Sequence, residues 1–225
     1  MIKIENVEVC GWNAAIRGMR NPMNSWDKSD SVFVDSYGEG YNILGDLFNA
    51  NFDVDPNTVD IGPNDHDLMM RLARAGTEHS KYRRMIVVYA DITAPLFWWK
   101  EFDTHKVGTV ANSCSTMHKI HAKPFTLEDF SCDGFEWLMN EMVNALEEWR
   151  QLFVEKGDKT YWRKMIQLLP SAYNQKRTVM MNYENLSAMY RQRRNHKLDE
   201  WHTFREWIEA LPYAELITGG EADDD

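Results

Sequence analysis

The stretch Met85-Ile-Val-Val-Tyr-Ala-Asp-Ile92, followed by Thr93-Ala94-Pro95 and then Leu96-Phe-Trp-Trp-Lys-Glu-Phe-Asp103, constrains the fold most. The first eight residues are β-branched, aromatic and few, which predicts a strand over 85–92. Thr93–Pro95 ends it. Pro95 then stands at the first position of a helix, where its fixed φ suits the turn and its missing N–H would have been unpaired anyway. A strand that feeds an aromatic helix requires a sheet and helices in one structure.

The rest of the chain is mostly helical by pattern. Residues 2–10 alternate apolar and charged side chains, which predicts a half-buried strand. Residues 11–62 are rich in Gly, Asn, Asp and Ser and predict loops with short helices over 12–20 and 41–50. Pro63-Asn64-Asp65 opens a helix whose acids face the positive end of its dipole. Leu68, Met69, Leu72 and Ala73 form its apolar stripe, and Gly76 stops it. Thr126-Leu-Glu-Asp129 resembles a helix start. A long helix over 133–156 carries Trp137, Leu138, Met142, Leu146, Trp149 and Phe153 at helical spacing and ends at Gly157. Further helices are predicted over 159–169, 182–194 and 198–211. The sum is an α+β class: a helix-rich single domain over 1–218 with a small, mainly antiparallel sheet. An acidic tail, 219–225, is expected to be disordered.

Composition narrows the function. The chain has 225 residues, with 25 Lys plus Arg against 35 Asp plus Glu, a net charge of −10. That excess argues against sequence-independent binding to duplex nucleic acid. Three scattered cysteines, Cys10, Cys114 and Cys132, give no disulfide framework. There is no membrane-length apolar run and no signal-peptide core at the start, so a cytoplasmic setting is expected. Nine Trp, nine Tyr and ten Phe are a heavy aromatic load, read by default as core and interface.

The candidate chemistry is local. No Gly-rich phosphate loop or Gly-x-Gly fingerprint occurs, and no Gly-x-Ser-x-Gly elbow. Cys114, His118 and His121 have ligand-like spacing, but no fourth ligand is near, so surface histidines beside a buried small cysteine are the favoured reading and no metal is expected. His105-Lys106 ends the aromatic helix and enters a polar stretch, 107–124, without periodicity. The pair suits a phosphate or, equally, a C-terminal cap. Asn112-Ser-Cys-Ser115-Thr116 suits a sugar or ring edge, or a plain turn. Arg191-Gln-Arg193-Arg194-Asn-His196-Lys197 is the densest basic run, either a solvated face or a phosphate clamp.

The order of these segments resembles the flavin-dependent thymidylate synthases, across roughly residues 64–208. One anchor is a helix ending in Gly, then Glu78-His79, a strand, and Ala94-Pro95-Leu96-Phe97. A second is the signature of that family, here Thr104-His105-Lys106 followed by Asn112, Ser115 and Met117. A third is Leu169-Pro170, then Asn182, Leu186, Arg193 and Trp201, with no gap from Leu169 to Arg193.

The resemblance implies a homotetramer that binds FAD and reductively methylates dUMP. NADPH and methylenetetrahydrofolate would be co-substrates. It implies that His105, Lys106, Asn112, Asn182 and His196 meet the flavin. It places Glu101, Ser115, Arg177 and Arg193 at the pyrimidine nucleotide, with Arg193 on its phosphate. It assigns no catalytic residue. The chain departs from the pattern at several cations. Thr104 and Met117 stand where the signature has arginines, Ile166 replaces the Arg before Leu-Pro, and Glu184 replaces the Arg after Asn182. A catalytically divergent nucleotide- or flavin-binding protein of the same fold is the alternative expectation.

Overall fold

In the computed structural model, residues 2–34, 40–42 and 59–219 are described. The first strand is β1 (Lys3–Cys10), followed by α1 (Trp12–Arg20). Three short strands, β2 (Val32–Val34), β3 (Gly40–Asn42) and β4 (Val59–Asp60), lead to α2 (Pro63–Arg74). Then come β5 (Val87–Pro95), α3 (Leu96–Phe102), β6 (Val110–Ser113), α4 (Glu136–Lys156) and α5 (Lys159–Leu168). The chain closes with β7 (Asn174–Asn182), α6 (Tyr183–Gln192), α7 (Asp199–Glu209) and α8 (Glu215–Thr218). One sheet has the order β1-β5-β7-β6, and a second, antiparallel one has the order β3-β2-β4, with Phe33 opposite Tyr41 and Val59. Helices dominate and the sheets are small, so the α+β class is borne out. No helix among the described residues is long and apolar enough to cross a membrane.

Several boundaries move. The strong strand runs through Thr93 and Ala94 to Pro95, because Ala94 and Ile92 alternate into the core. Pro95 therefore caps α3 from the strand side instead of starting it. Thr126 and Asp129 do form a reciprocal capping box, but over a single 3-10 turn, Leu127–Asp129, and the long helix begins only at Glu136. The polar stretch after Lys106 contains β6, and β7 is an additional strand. The short helix expected over 41–50 meets β3 at 41–42 and otherwise lies outside the described residues, as does the tail beyond Gly219.

The chain divides into two compact units. One comprises Met1–Glu5, Asp91–His105 and Ala111–Val179. Its core joins α4 to α5 through Met139, Val143, Leu146 and Met165, with Ile120, Phe125 and Phe130. Met139, Val143 and Leu146 lie at i, i+4 and i+7, so they, and not Trp137 and Leu138, define the inward stripe of α4. Trp137 is 72% exposed. Glu147 holds the loop above: it takes two hydrogen bonds of 2.7 Å from Arg150 and one from the Phe125 N–H.

The other unit comprises Asn6–Ala90, Lys106–Val110 and Met180–Asp225. Trp12 of α1 meets Tyr183 of α6 edge to face at 5.4 Å, and both are fully buried. Gly11 precedes α1 with φ +95, and a Cβ there would lie 2.0 Å from the Met85 carbonyl oxygen, so only glycine fits. Asp65, the acid of the first turn, is fully buried. It pairs with Arg20 at 2.5 Å and accepts hydrogen bonds from the hydroxyls of Ser29 and Ser31. The backbone N–H groups of Asn64 and Asp65 at the start of α2 are capped by the Asp30 carboxylate.

Candidate functional site

In the second unit, α6 carries candidate residues at both ends. At its N-terminus Asn182 is the cap: its Oδ1 accepts the Asn185 N–H at 2.9 Å, and Asn185 Oδ1 accepts the Asn182 N–H in return. The Asn185 side chain also donates to the Val107 carbonyl at 2.6 Å. This ties the backbone just after Lys106 to the helix start. Gly108 follows with φ +78, and a Cβ there would stand 3.0 Å from Asn185 Oδ1 and 3.2 Å from Asn182 Nδ2. The glycine lets the loop come in close over the two amides. Lys106 itself is exposed.

At the C-terminus of α6, Arg193 is the cap residue, and its guanidinium lies over the Trp201 ring at 4.8 Å. His196 meets the same indole at 6.0 Å, ring centre to ring centre. Its Nδ1 accepts the Leu198 N–H at 3.2 Å, which holds the ring in place beside the indole. Trp201 is fully buried in the stack with Phe204. Arg193 and His196 are thus gathered on one aromatic platform. Asn182 is not with them. The ten residues of α6 separate the two ends by about 15 Å at 1.5 Å per residue. A ligand meeting both ends has to be extended.

Along α6 the charge is inverted from the expected pattern. Glu184 accepts a hydrogen bond from Ser80 Oγ at 3.2 Å and lies 3.8 Å from the buried Arg83. Arg83 and Arg191 both donate to the buried Ser187 hydroxyl, at 3.3 and 3.1 Å. Glu184 therefore serves as a counter-ion inside the unit.

The first unit holds the remaining candidates. Arg177 on β7 pairs with Asp103 at 2.8 Å, donates to Gln175 Oε1 at 3.0 Å, and stacks over Trp99 at 4.2 Å. Trp99 is buried, and its indole N–H donates to the Gln175 carbonyl. Glu101 and His105 sit at the end of α3, half-buried, with the His105 N–H closing the last turn on Phe102. Asn112 lies on β6 and is exposed. The Ser115 hydroxyl accepts the N–H groups of Met117 and His118, a local turn that leaves its own proton to donate. The cysteine and histidines of this stretch do not converge, since no group of three potential metal ligands forms among the described residues. Cys114 is exposed and not buried as expected, because it follows the exposed strand β6, whereas His121 is half-buried and packs on Phe153.

Asn185 and Gly108 are the residues that sequence reasoning missed. The signal for Asn185 was present, since Asn182-x-x-Asn185 before an apolar run is a capping pattern. Gly108 had only its glycine identity to mark it.

No protein-family model matches the chain, and no curated protein matches it by sequence. Solved structures do match. Thymidylate synthase X from Helicobacter pylori, with FAD and dUMP, superposes with a TM-score of 0.69 at 16% identity, over 98% of this chain and 98% of that one. A second structure of the flavin-dependent enzyme from that organism, also complexed with FAD and dUMP, gives 0.66 at 16% identity, covering 97% of each chain. A UMP/dUMP methylase, PolB from Streptomyces cacaoi, bound with 5-Br UMP, gives 0.57 at 12% identity, over 97% of this chain and 92% of that one. The chain has a thymidylate synthase X-like fold, remote in sequence.

Proposed function

We propose that this protein binds FAD and a pyrimidine nucleotide and reductively methylates dUMP or a related pyrimidine nucleotide, using NADPH and methylenetetrahydrofolate. The observation that carries the reading is the platform of Arg193 and His196 on Trp201. It combines a guanidinium, an imidazole and a buried aromatic ring, the cationic and ring chemistry that suits a phosphate-bearing ligand. The extended spacing along α6 suits a dinucleotide better than a lone phosphate.

In this reading His105, Lys106, Asn112, Asn182 and His196 hold the flavin. Glu101, Ser115, Arg177 and Arg193 hold the nucleotide, with Arg193 on its phosphate. The Asn182 Oδ1 is committed to the helix cap, so its Nδ2 is the group left to donate. Ser115 donates its hydroxyl proton while its oxygen keeps the turn. When bound, FAD supplies the hydride chemistry, and the protein groups position and polarise the pyrimidine. A homo-oligomer, a tetramer by analogy, belongs to the same proposal, as does one domain spanning 1–218.

One observation favours a second reading, a flavin- or nucleotide-binding protein without thymidylate synthase activity. Glu184 occupies a position where the resemblance expects a cation, and the Arg177 charge is balanced by Asp103. The test is to supply FAD, dUMP, NADPH and methylenetetrahydrofolate and follow NADPH oxidation and methyl transfer. Transfer to any pyrimidine nucleotide supports the enzyme. Ligand binding without transfer supports the second reading.

A further inference from the structure

A cavity of about 470 Å³ lies in the second unit, apart from every residue assigned above. Its lining includes Arg20, Ser25, Lys28, Asn64, Leu68 and Arg71. Asn64, Leu68 and Arg71 stand at i, i+4 and i+7 of α2 and so share one face of it. Ser25 and Lys28 come from the turns that follow α1. Three of the lining residues are cations, and Asp67 is the one acid among them, held by Arg71 at 3.0 Å.

Arg20 is the informative member. It is 3% exposed, and its surroundings fix it: Nε donates to Asp65 and Nη1 to the Ser25 carbonyl at 3.1 Å. Its Nη2 has no hydrogen-bond partner among the described residues. A buried guanidinium with an unused N–H group is costly unless something accepts from it. The Asp65 charge offsets Arg20 and Asp67 offsets Arg71, whereas Lys28 makes no ion pair among the described residues. Asp30 caps the start of α2 beside Asn64, so the cations are balanced overall, but Lys28 is held by no carboxylate among the described residues and donors reach the cavity from three separate segments.

We propose that this cavity binds a small phosphate-bearing molecule. Donors from several directions suit a tetrahedral oxyanion, whereas a planar carboxylate is satisfied by a single arginine fork. The volume falls within the range of small-ligand sites, and Leu68 with Met23 supplies apolar surface for the body of such a ligand. The site is separate from the nucleotide platform, and the proposal stands whether or not that reading holds.

The test is calorimetric titration of the full-length protein with inorganic phosphate. Lys28 and Arg71 are exposed, so Lys28→Ala and Arg71→Ala leave the fold intact. Arg193→Ala serves as the comparison at the other site. The expected result is saturable binding in the native chain, weakened at least about tenfold by Lys28→Ala, the loss of one charge-assisted contact, and changed less than about twofold by Arg193→Ala. Absence of binding to the native chain overturns the proposal. So do native affinity in both Lys28→Ala and Arg71→Ala, and a loss confined to Arg193→Ala.

Discussion

The guanidinium of Arg193 lies over the Trp201 ring, 4.8 Å from its centre, so the cation rests against a buried indole at the end of α6. A guanidinium fixed in this way loses little freedom when it takes a phosphate. Arg193→Ala is expected to weaken pyrimidine nucleotide binding by about 1.5–3 kcal/mol, roughly ten- to a hundredfold. Arg193→Lys keeps the charge but not the guanidinium fork, and is expected to recover only part of the affinity. Equilibrium titration with dUMP measures both, and native affinity in Arg193→Ala refutes the assignment.

Gly108 combines a positive φ with a close approach to Asn182 and Asn185. Gly108→Ala forces a Cβ against both amides and costs about 1–2 kcal/mol for the left-handed backbone alone. The loop carrying Lys106 is then displaced, so flavin affinity should fall more than global stability does. Comparing FAD titration with urea denaturation separates the two effects.

The Arg20–Asp65 pair locks α1 to the start of α2. Asp65→Asn leaves a buried guanidinium without its counter-charge and is expected to destabilise the fold by about 3–5 kcal/mol. Burial alone would raise the Asp65 carboxyl, but hydrogen bonds from Ser31, Ser29 and Arg20, together with the Arg20 charge, hold it below the ordinary value. Chemical denaturation of the variant is the check.

Glu147 gives a pH signature in the other unit. The bidentate Arg150 contact lowers its pKa from 4.5 to about 2, against an opposing effect of burial and with help from the Phe125 N–H and Gln151. Because the folded value lies below the unfolded one, its contribution is complete above pH 4.5 and is lost as the pH falls towards 2. Glu147→Gln should remove that part of the acid dependence, so its melting temperature should change less across this window than that of the native chain.

The helices were largely legible in the sequence because their punctuation is chemical: Pro63, Gly157 and Asn182 sit at the observed ends. The strand β7 was not, although Gln175, Val179 and Met181 alternate into the core. Lys176, Arg177 and Thr178 interrupt its apolar pattern, and their reasons lie far along the chain: Lys176 and Thr178 both bind Asp91, and Arg177 binds Asp103. The strand β6 is exposed throughout and had no alternation to show. At the site, the identity of Arg193 and His196 was visible, but their meeting on Trp201 depends on the turn between α6 and α7. The role of Glu184 depends on Arg83, a hundred positions earlier, and no local pattern records that.

The most direct test is the visible spectrum of the purified protein, before and after incubation with FAD, followed by titration with dUMP. The proposed function predicts that the protein takes up FAD and shows bound-flavin absorption, that dUMP perturbs this absorption, and that Arg193→Ala moves the perturbation to roughly ten- to a hundredfold higher dUMP. A colourless protein that fails to take up FAD contradicts it.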